Sequence, residues 1–225
     1  MTFEYLRQSL FFFRNHLGVI AKIQLPFLAL FSFLSFLLTG DDNSDPAEIR
    51  QTMMILMIAN FTLIPIYWGA TIAYLGSVVE NQPLTVSQAL ARSLSRWRHL
   101  LMVYLFTGIA VSAGLMLLIA PGIYFLIRFA FADYSCILEQ QRPLQSMKSS
   151  WENSADYFWT LFQGMALLFV VLTGGQMILS QLLELNNPEN ALLAIPMDLL
   201  FGLLHSLITI YGFRVYCVMR EENGQ

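Results

Sequence analysis

The sequence predicts an all-α polytopic membrane protein, six transmembrane helices arranged as three hairpins with an interfacial amphipathic helix before each, and three observations predict it. Hydrophobic residues make up 56% of the 225 positions and charged residues 12%, whereas a soluble domain carries about a quarter charged residues. Several uncharged runs reach the ~20 residues that a helix needs to cross a hydrocarbon core of about 30 Å. Between two such runs stands Ala120-Pro121-Gly122-Ile123-Tyr124, where a proline that cannot continue a helix is followed by a glycine that lets the chain reverse. The net charge of -3 suggests no nucleic-acid partner, because charge in such a chain is sorted by side of the membrane.

The elements follow in order. Phe3, Leu6, Leu10, Phe13 and Leu17 recur at steps of three and four, the period of an amphipathic helix lying in the interface. It is no signal-peptide n-region, since an aromatic helix precedes the apolar run and no A-x-A-like site follows before the acidic loop. The first span runs from about Leu17 to Thr39, with Lys22 able to snorkel. A polar turn, Gly40 to Pro46, leads to a second run, Met53 to Val79. A second amphipathic segment, Val86 to Leu101, carries Val86, Leu90, Leu94, Trp97 and Leu101 on one face and leads into the run Leu100 to Ala120. The hairpin and the fourth run, Ile123 to Leu138, come next. Leu144, Met147, Trp151 and Phe158 mark a third amphipathic segment, followed by the runs Tyr157 to Leu183 and Ala191 to Met219.

The chain reads as a single membrane domain of three loose repeats, about 1-79, 80-138 and 139-219, with Gln8-Ser9-Leu10, Arg92-Ser93-Leu94 and Ser149-Ser150-Trp151 in similar places. Nine of the twelve Lys and Arg residues (Arg7, Arg14, Lys22, Arg92, Arg96, Arg98, Arg142, Lys148 and Arg220) fall on the side of the termini, and Asp41, Asp42, Asp45, Glu48, Glu184 and Glu189 fall on the other. The positive-inside rule then puts both termini in the cytoplasm.

Pro121-Gly122-Ile123, Leu144-Gln145-Ser146-Met147-Lys148-Ser149-Ser150-Trp151 and Phe213-Arg214-Val215-Tyr216 together resemble the YciC-like family of small bacterial inner-membrane proteins. A PG hairpin followed by a basic, Ser- and Trp-bearing amphipathic helix is also similar to the membrane domain of some bacterial glycerophosphodiester phosphodiesterases. The resemblance implies an inner-membrane protein of a family whose activity is not established, and it brings no catalytic residues.

Chemistry-bearing constellations are sparse. His205 and Ser206 adjoin in the sixth span, but neighbouring helical residues point about 100° apart and no GxSxG accompanies them. No HExxH, phosphate-binding loop or pair of carboxylates on one helix face occurs, and Cys136 and Cys217 lie far from any ligand spacing, as buried free thiols would. The chain is expected to be no enzyme and to need no cofactor or metal. Ionisable groups inside the membrane are the remaining candidates: Arg128 and Asp133 in the fourth span, Asp198 and His205 in the sixth. Asp198, Gly202, His205, Thr209, Gly212 and Tyr216 share one helix face, a stripe that either lines a transport path or seals a close helix contact. Matching depth predicts an Arg128–Asp198 ion pair, with Asp133 and Arg214 finding separate partners. Arg92, Arg96, Trp97 and Trp151 are the expected interfacial lipid contacts, suited to anionic headgroups on the cytoplasmic side. A structural or accessory envelope role, with a membrane-protein partner, is the first reading, and transport of a small molecule or ion is its alternative.

Overall fold

The computed structural model describes residues 2–39, 46–185 and 191–224, with α1 (Thr2–Thr39), α2 (Pro46–Val79), α3 (Val86–Leu117), α4 (Ile119–Arg128), α5 (Ala132–Leu138), α6 (Pro143–Asn153), α7 (Phe158–Leu182) and α8 (Ala191–Glu222). The acidic connections expected at 40–46 and 184–190 lie largely outside the described residues. Six segments are long and apolar enough to cross a membrane: α1, α2, α3, α4 with α5, α7 and α8. α1 and α8 pack together along their lengths, with Gln8 against Arg214 near one end and Ser32 against Asp198 near the other. They are therefore antiparallel, and both termini share one end of the bundle, here called the terminal face.

Two of the three amphipathic segments are not separate interfacial helices. The 38 residues of α1 run without interruption, about 57 Å at 1.5 Å per residue, so the helix passes through a core of about 30 Å and projects beyond it. Its expected lipid-facing stripe is divided: Leu6 and Phe13 are buried in the protein core, while Phe3, Leu10 and Leu17 are exposed. The second segment is likewise the first half of α3. Its start is fixed by a capping box, in which Thr85 Oγ accepts from the Gln88 N–H and Gln88 Oε1 accepts from the Thr85 N–H at 2.9 Å. The third segment alone, α6, is a distinct helix.

The reversal between the third and fourth spans falls at Leu118, whose extended backbone (φ -163°, ψ 160°) separates α3 from α4. Pro121-Gly122 is not the turn itself. Pro121 sits in the first turn of α4, where its missing N–H would have had no helical partner anyway. Gly122 lies against Gly114, and a Cβ on Gly114 would come within 2.7 Å of the Gly122 backbone nitrogen. These two glycines let the antiparallel helices meet backbone to backbone.

The fourth span is broken. α4 stops at Arg128 and α5 resumes at Ala132. α5 lies at the centre of the molecule, with Phe131, Ala132, Tyr134, Cys136 and Ile137 packed among Ile20, Ile72, Leu75, Ile210, Tyr211 and Tyr216. Cys136 is buried and Cys217 half-buried, both as free thiols.

Candidate functional site

The break in the fourth span is held by α6. Ending α4 at Arg128 exposes backbone groups that would otherwise pair along the helix, and inside a membrane each needs a partner. Ser150 and Ser154 supply them: both hydroxyls donate to the Arg128 carbonyl, at 2.8 and 2.9 Å, and Ser150 Oγ accepts from the Phe131 N–H at 3.0 Å. Both serines are fully buried. The same device recurs on α3. Ser93 Oγ lies 3.1 and 2.7 Å from the carbonyls of Pro65 and Ile66, and Trp97 Nε1 donates to the Thr62 carbonyl at 3.0 Å. These acceptors lie around Pro65 within uninterrupted α2, so the two side chains pin α3 to α2 through its carbonyls.

Arg128, 8% exposed, leaves the break in a cage of aromatic rings. Its guanidinium carbon stands 4.5 Å from the Trp151 ring centre and 5.8 Å from that of Tyr124. Phe125 and Phe129 stack at 6.3 Å and both flank Trp151. Among the described residues no carboxylate lies within ion-pair distance of Arg128, and its Nε has no hydrogen-bond partner. Desolvated cation–π contacts, about 2 kcal/mol or more, stand where an ion pair was expected.

Asp198 is elsewhere. It accepts from Gln176 Nε2 on α7 at 3.3 Å and from Ser32 Oγ on α1 at 3.5 Å, tying three helices near the face opposite the termini. The predicted Arg128–Asp198 pair does not form, because equal counts from the starts of the two spans do not mean equal depth. The Tyr134 hydroxyl donates to the Thr209 carbonyl at 2.9 Å, which aligns the two spans. Arg128 lies six residues before Tyr134 and Asp198 eleven before Thr209, a difference of about 7–8 Å along the axis. α4 also packs chiefly on α3, with a smaller contact to α7.

His205 bonds within its own helix, Nδ1 to the Phe201 carbonyl at 2.7 Å, and Nε2 lies 3.5 Å from Thr173 Oγ1. A Cβ on Gly202 would meet Leu28, and one on Gly212 would meet the Tyr134 hydroxyl. The Tyr216 hydroxyl donates to Glu139. Asp198, Gly202, His205, Gly212 and Tyr216 of the α8 stripe are thus occupied by contacts with neighbouring elements rather than lining one path, while the Thr209 hydroxyl faces a cavity. Arg214 and Asp133 have separate partners, as expected: Arg214 Nε donates to Gln8 Oε1 at 2.7 Å and faces Glu221 at 3.8 Å, while Asp133 Oδ1 accepts the Tyr134 N–H at 3.0 Å.

Asp133 also lines a cavity of about 430 Å³ between α3, α4, α7 and α8. Its wall is mainly apolar, with Ile123, Leu126, Phe162, Met165 and Phe169 prominent, and its polar groups are Asp133, Tyr104, Thr107, Tyr134 and Thr209. The cavity follows from the break: α4 and α5 diverge, and α4 meets α7 only over a short stretch.

Of the expected lipid contacts, Trp151 faces the cage and Trp97 is bonded to α2, while Arg96 Nη2 donates to the Gln140 carbonyl. Arg92 is half-buried. Sequence reasoning missed Ser150, Ser154 and Ser93 as side chains that bond the backbone of neighbouring elements. The signal for Ser93 and Ser150 was present in the serine echoes ahead of the spans, and Ser154 had none.

A model of an uncharacterised protein family, UPF0259, matches residues 44–218 of this chain. The chain is also similar to a protein of Sodalis glossinidius (strain morsitans) named as a UPF0259 membrane protein, 26% identical over 153 residues, which are 68% of this chain. The match spans 60% of that relative's length. No solved structure matches the chain. The resemblance to a bacterial membrane family of unestablished activity is borne out.

Proposed function

This chain belongs to the uncharacterised protein family UPF0259, and on that premise we propose that it is a non-catalytic structural or accessory protein of the bacterial inner membrane, with both termini in the cytoplasm. The observation that carries this reading is that its intramembrane polar groups are spent between helices. Asp198 bridges three helices, Ser93 joins α3 to α2, and Ser150 and Ser154 close broken backbone. Transport through the α8 stripe is not favoured, because the cavity beside Asp133 reaches α8 at Ile208 and Thr209 and has neither His205 nor Asp198 in its wall. The cytoplasmic assignment is supported by the nine basic residues that precede or follow spans on the terminal side. Its partners are anionic headgroups of the inner leaflet, met by Arg92 and the exposed Arg98 and Lys148, and a membrane protein on which it acts as accessory.

Two experiments test this. Cysteines at Asn43 and Asn187, which lie outside the described residues, are expected to react with an impermeant thiol reagent in intact cells, and one at Ser95 to stay unreacted. Labelling of Ser95 from outside overturns the orientation. Purification in a mild detergent is expected to retain a stoichiometric protein companion or anionic lipid. Isolation of bare chain with substrate-dependent flux in liposomes contradicts the accessory role.

A further inference from the structure

We infer that the cavity beside Asp133 binds a single-chain amphiphile whose head donates a hydrogen bond, an alcohol or an amine, with the head at Asp133 and the chain along α4 and α7. The volume, about 430 Å³, falls in the range of small-molecule sites, roughly 300–1,000 Å³. Its rim opens sideways: Leu126 and Phe169, on facing helices, are 51% and 56% exposed on the bundle's outer surface. An apolar chain can therefore enter from the bilayer. Phe162 to Phe169 lie four to eleven residues past the start of α7, about 6–17 Å from that end, which is the depth of an acyl chain in the leaflet on the terminal side.

Polar groups mark where the head would sit. Six buried side-chain N or O atoms lack a hydrogen-bond partner among the described residues, and three of them, Tyr104 Oη, Thr107 Oγ1 and Thr209 Oγ1, belong to residues that line this cavity. Thr209 is 3% exposed. The Tyr104 hydroxyl is directed at the Asp133 carboxyl, so Thr107 and Thr209 are the groups left wholly unpartnered. Unpaired buried groups are costly, about 1–3 kcal/mol each, and a shared ligand hydroxyl or amine would satisfy several at once. Among the described residues no Lys, Arg or His lines the cavity. Arg128 is directed instead onto Trp151. A carboxylate or phosphate head would thus meet Asp133 without a counter-charge, so the site selects against anionic heads.

The test uses the full chain in phosphatidylcholine nanodiscs titrated with 1-dodecanol, dodecylamine and dodecanoic acid, bound molecules being counted by native mass spectrometry. One alcohol or amine per chain is expected, bound at least about tenfold more tightly than the acid. Ala166→Trp, which fills the cavity wall, is expected to abolish the adduct with the thermal midpoint little changed. Asp133→Leu is expected to erase the preference between heads; should that variant not fold, the head series on the unmodified chain and Ala166→Trp carry the test. A preference for the alcohol or for the amine identifies the head. Equal uptake of all three, or uptake that survives Ala166→Trp, overturns the proposal as simple filling by lipid.

Discussion

Ser150 connects α6 to the middle of the fourth span through one hydroxyl that both donates to Arg128 and accepts from Phe131. Ser150→Ala would leave the buried Phe131 N–H without its partner while the Arg128 carbonyl keeps Ser154, with an expected cost of about 1–3 kcal/mol. The half-buried neighbour changed in Ser149→Ala should lie within about 0.5 kcal/mol of the parent. Equal thermal midpoints for the two variants would show that the break is held some other way. The charges themselves lead to a second expectation. Arg128 is stabilised by aromatic rings and Asp198 by Gln176 and Ser32, so the losses from Arg128→Leu and Asp198→Leu should add to within about 0.5 kcal/mol in a double-mutant cycle. Recovery in the double variant would restore the pair that the sequence suggested. Both residues were legible as intramembrane charges from composition alone. Their partners were not, because the break after Arg128 and the extra length of α8 displaced the two spans relative to one another.

At the scale of elements, apolar run length located all six spans, since crossing a bilayer imposes a length that only uncharged sequence meets. Periodicity located the amphipathic segments but not what covers them. An apolar stripe facing lipid and one facing protein have the same period, and Phe13 and Trp151 proved to face protein. The break between α4 and α5 was hidden for a related reason. Phe129-Ala130-Phe131 contains neither glycine nor proline, and its unpaired backbone is satisfied by a helix that follows in sequence. Gly174-Gly175, a tandem glycine, lies within uninterrupted α7. Gly164 is the glycine that α7 depends on: a Cβ there would stand 2.0 Å from Cζ of Tyr211. That ring is fully buried, and its hydroxyl donates to the Thr160 carbonyl at 2.7 Å. Gly164→Ala should cost about 1–3 kcal/mol through overpacking. Gly174→Ala, with nothing within 4 Å, should be neutral or stabilising, as helix propensity favours alanine by up to about 1 kcal/mol. Comparable losses at both positions in detergent melts would contradict this packing of α7 on α8.

At the scale of the molecule, the bundle is an intramembrane scaffold in which polar side chains join helices, with a projecting layer on the terminal face built from the ends of α1, α3 and α8 and from α6. In the accessory role proposed above, the polar stripe of α8 serves as a set of helix contacts rather than as a path. Single cysteines at Asp198, Gly202 and His205, reacted in sealed membrane vesicles with a small charged thiol reagent applied from each side in turn, test that claim most directly. All three are expected to remain unmodified from both sides while a control cysteine at the exposed Ser95 reacts from one. Rapid modification of His205, with Asp198 and Gly202 accessible from the same or the opposite side, would reveal a hydrated path along α8 and contradict it.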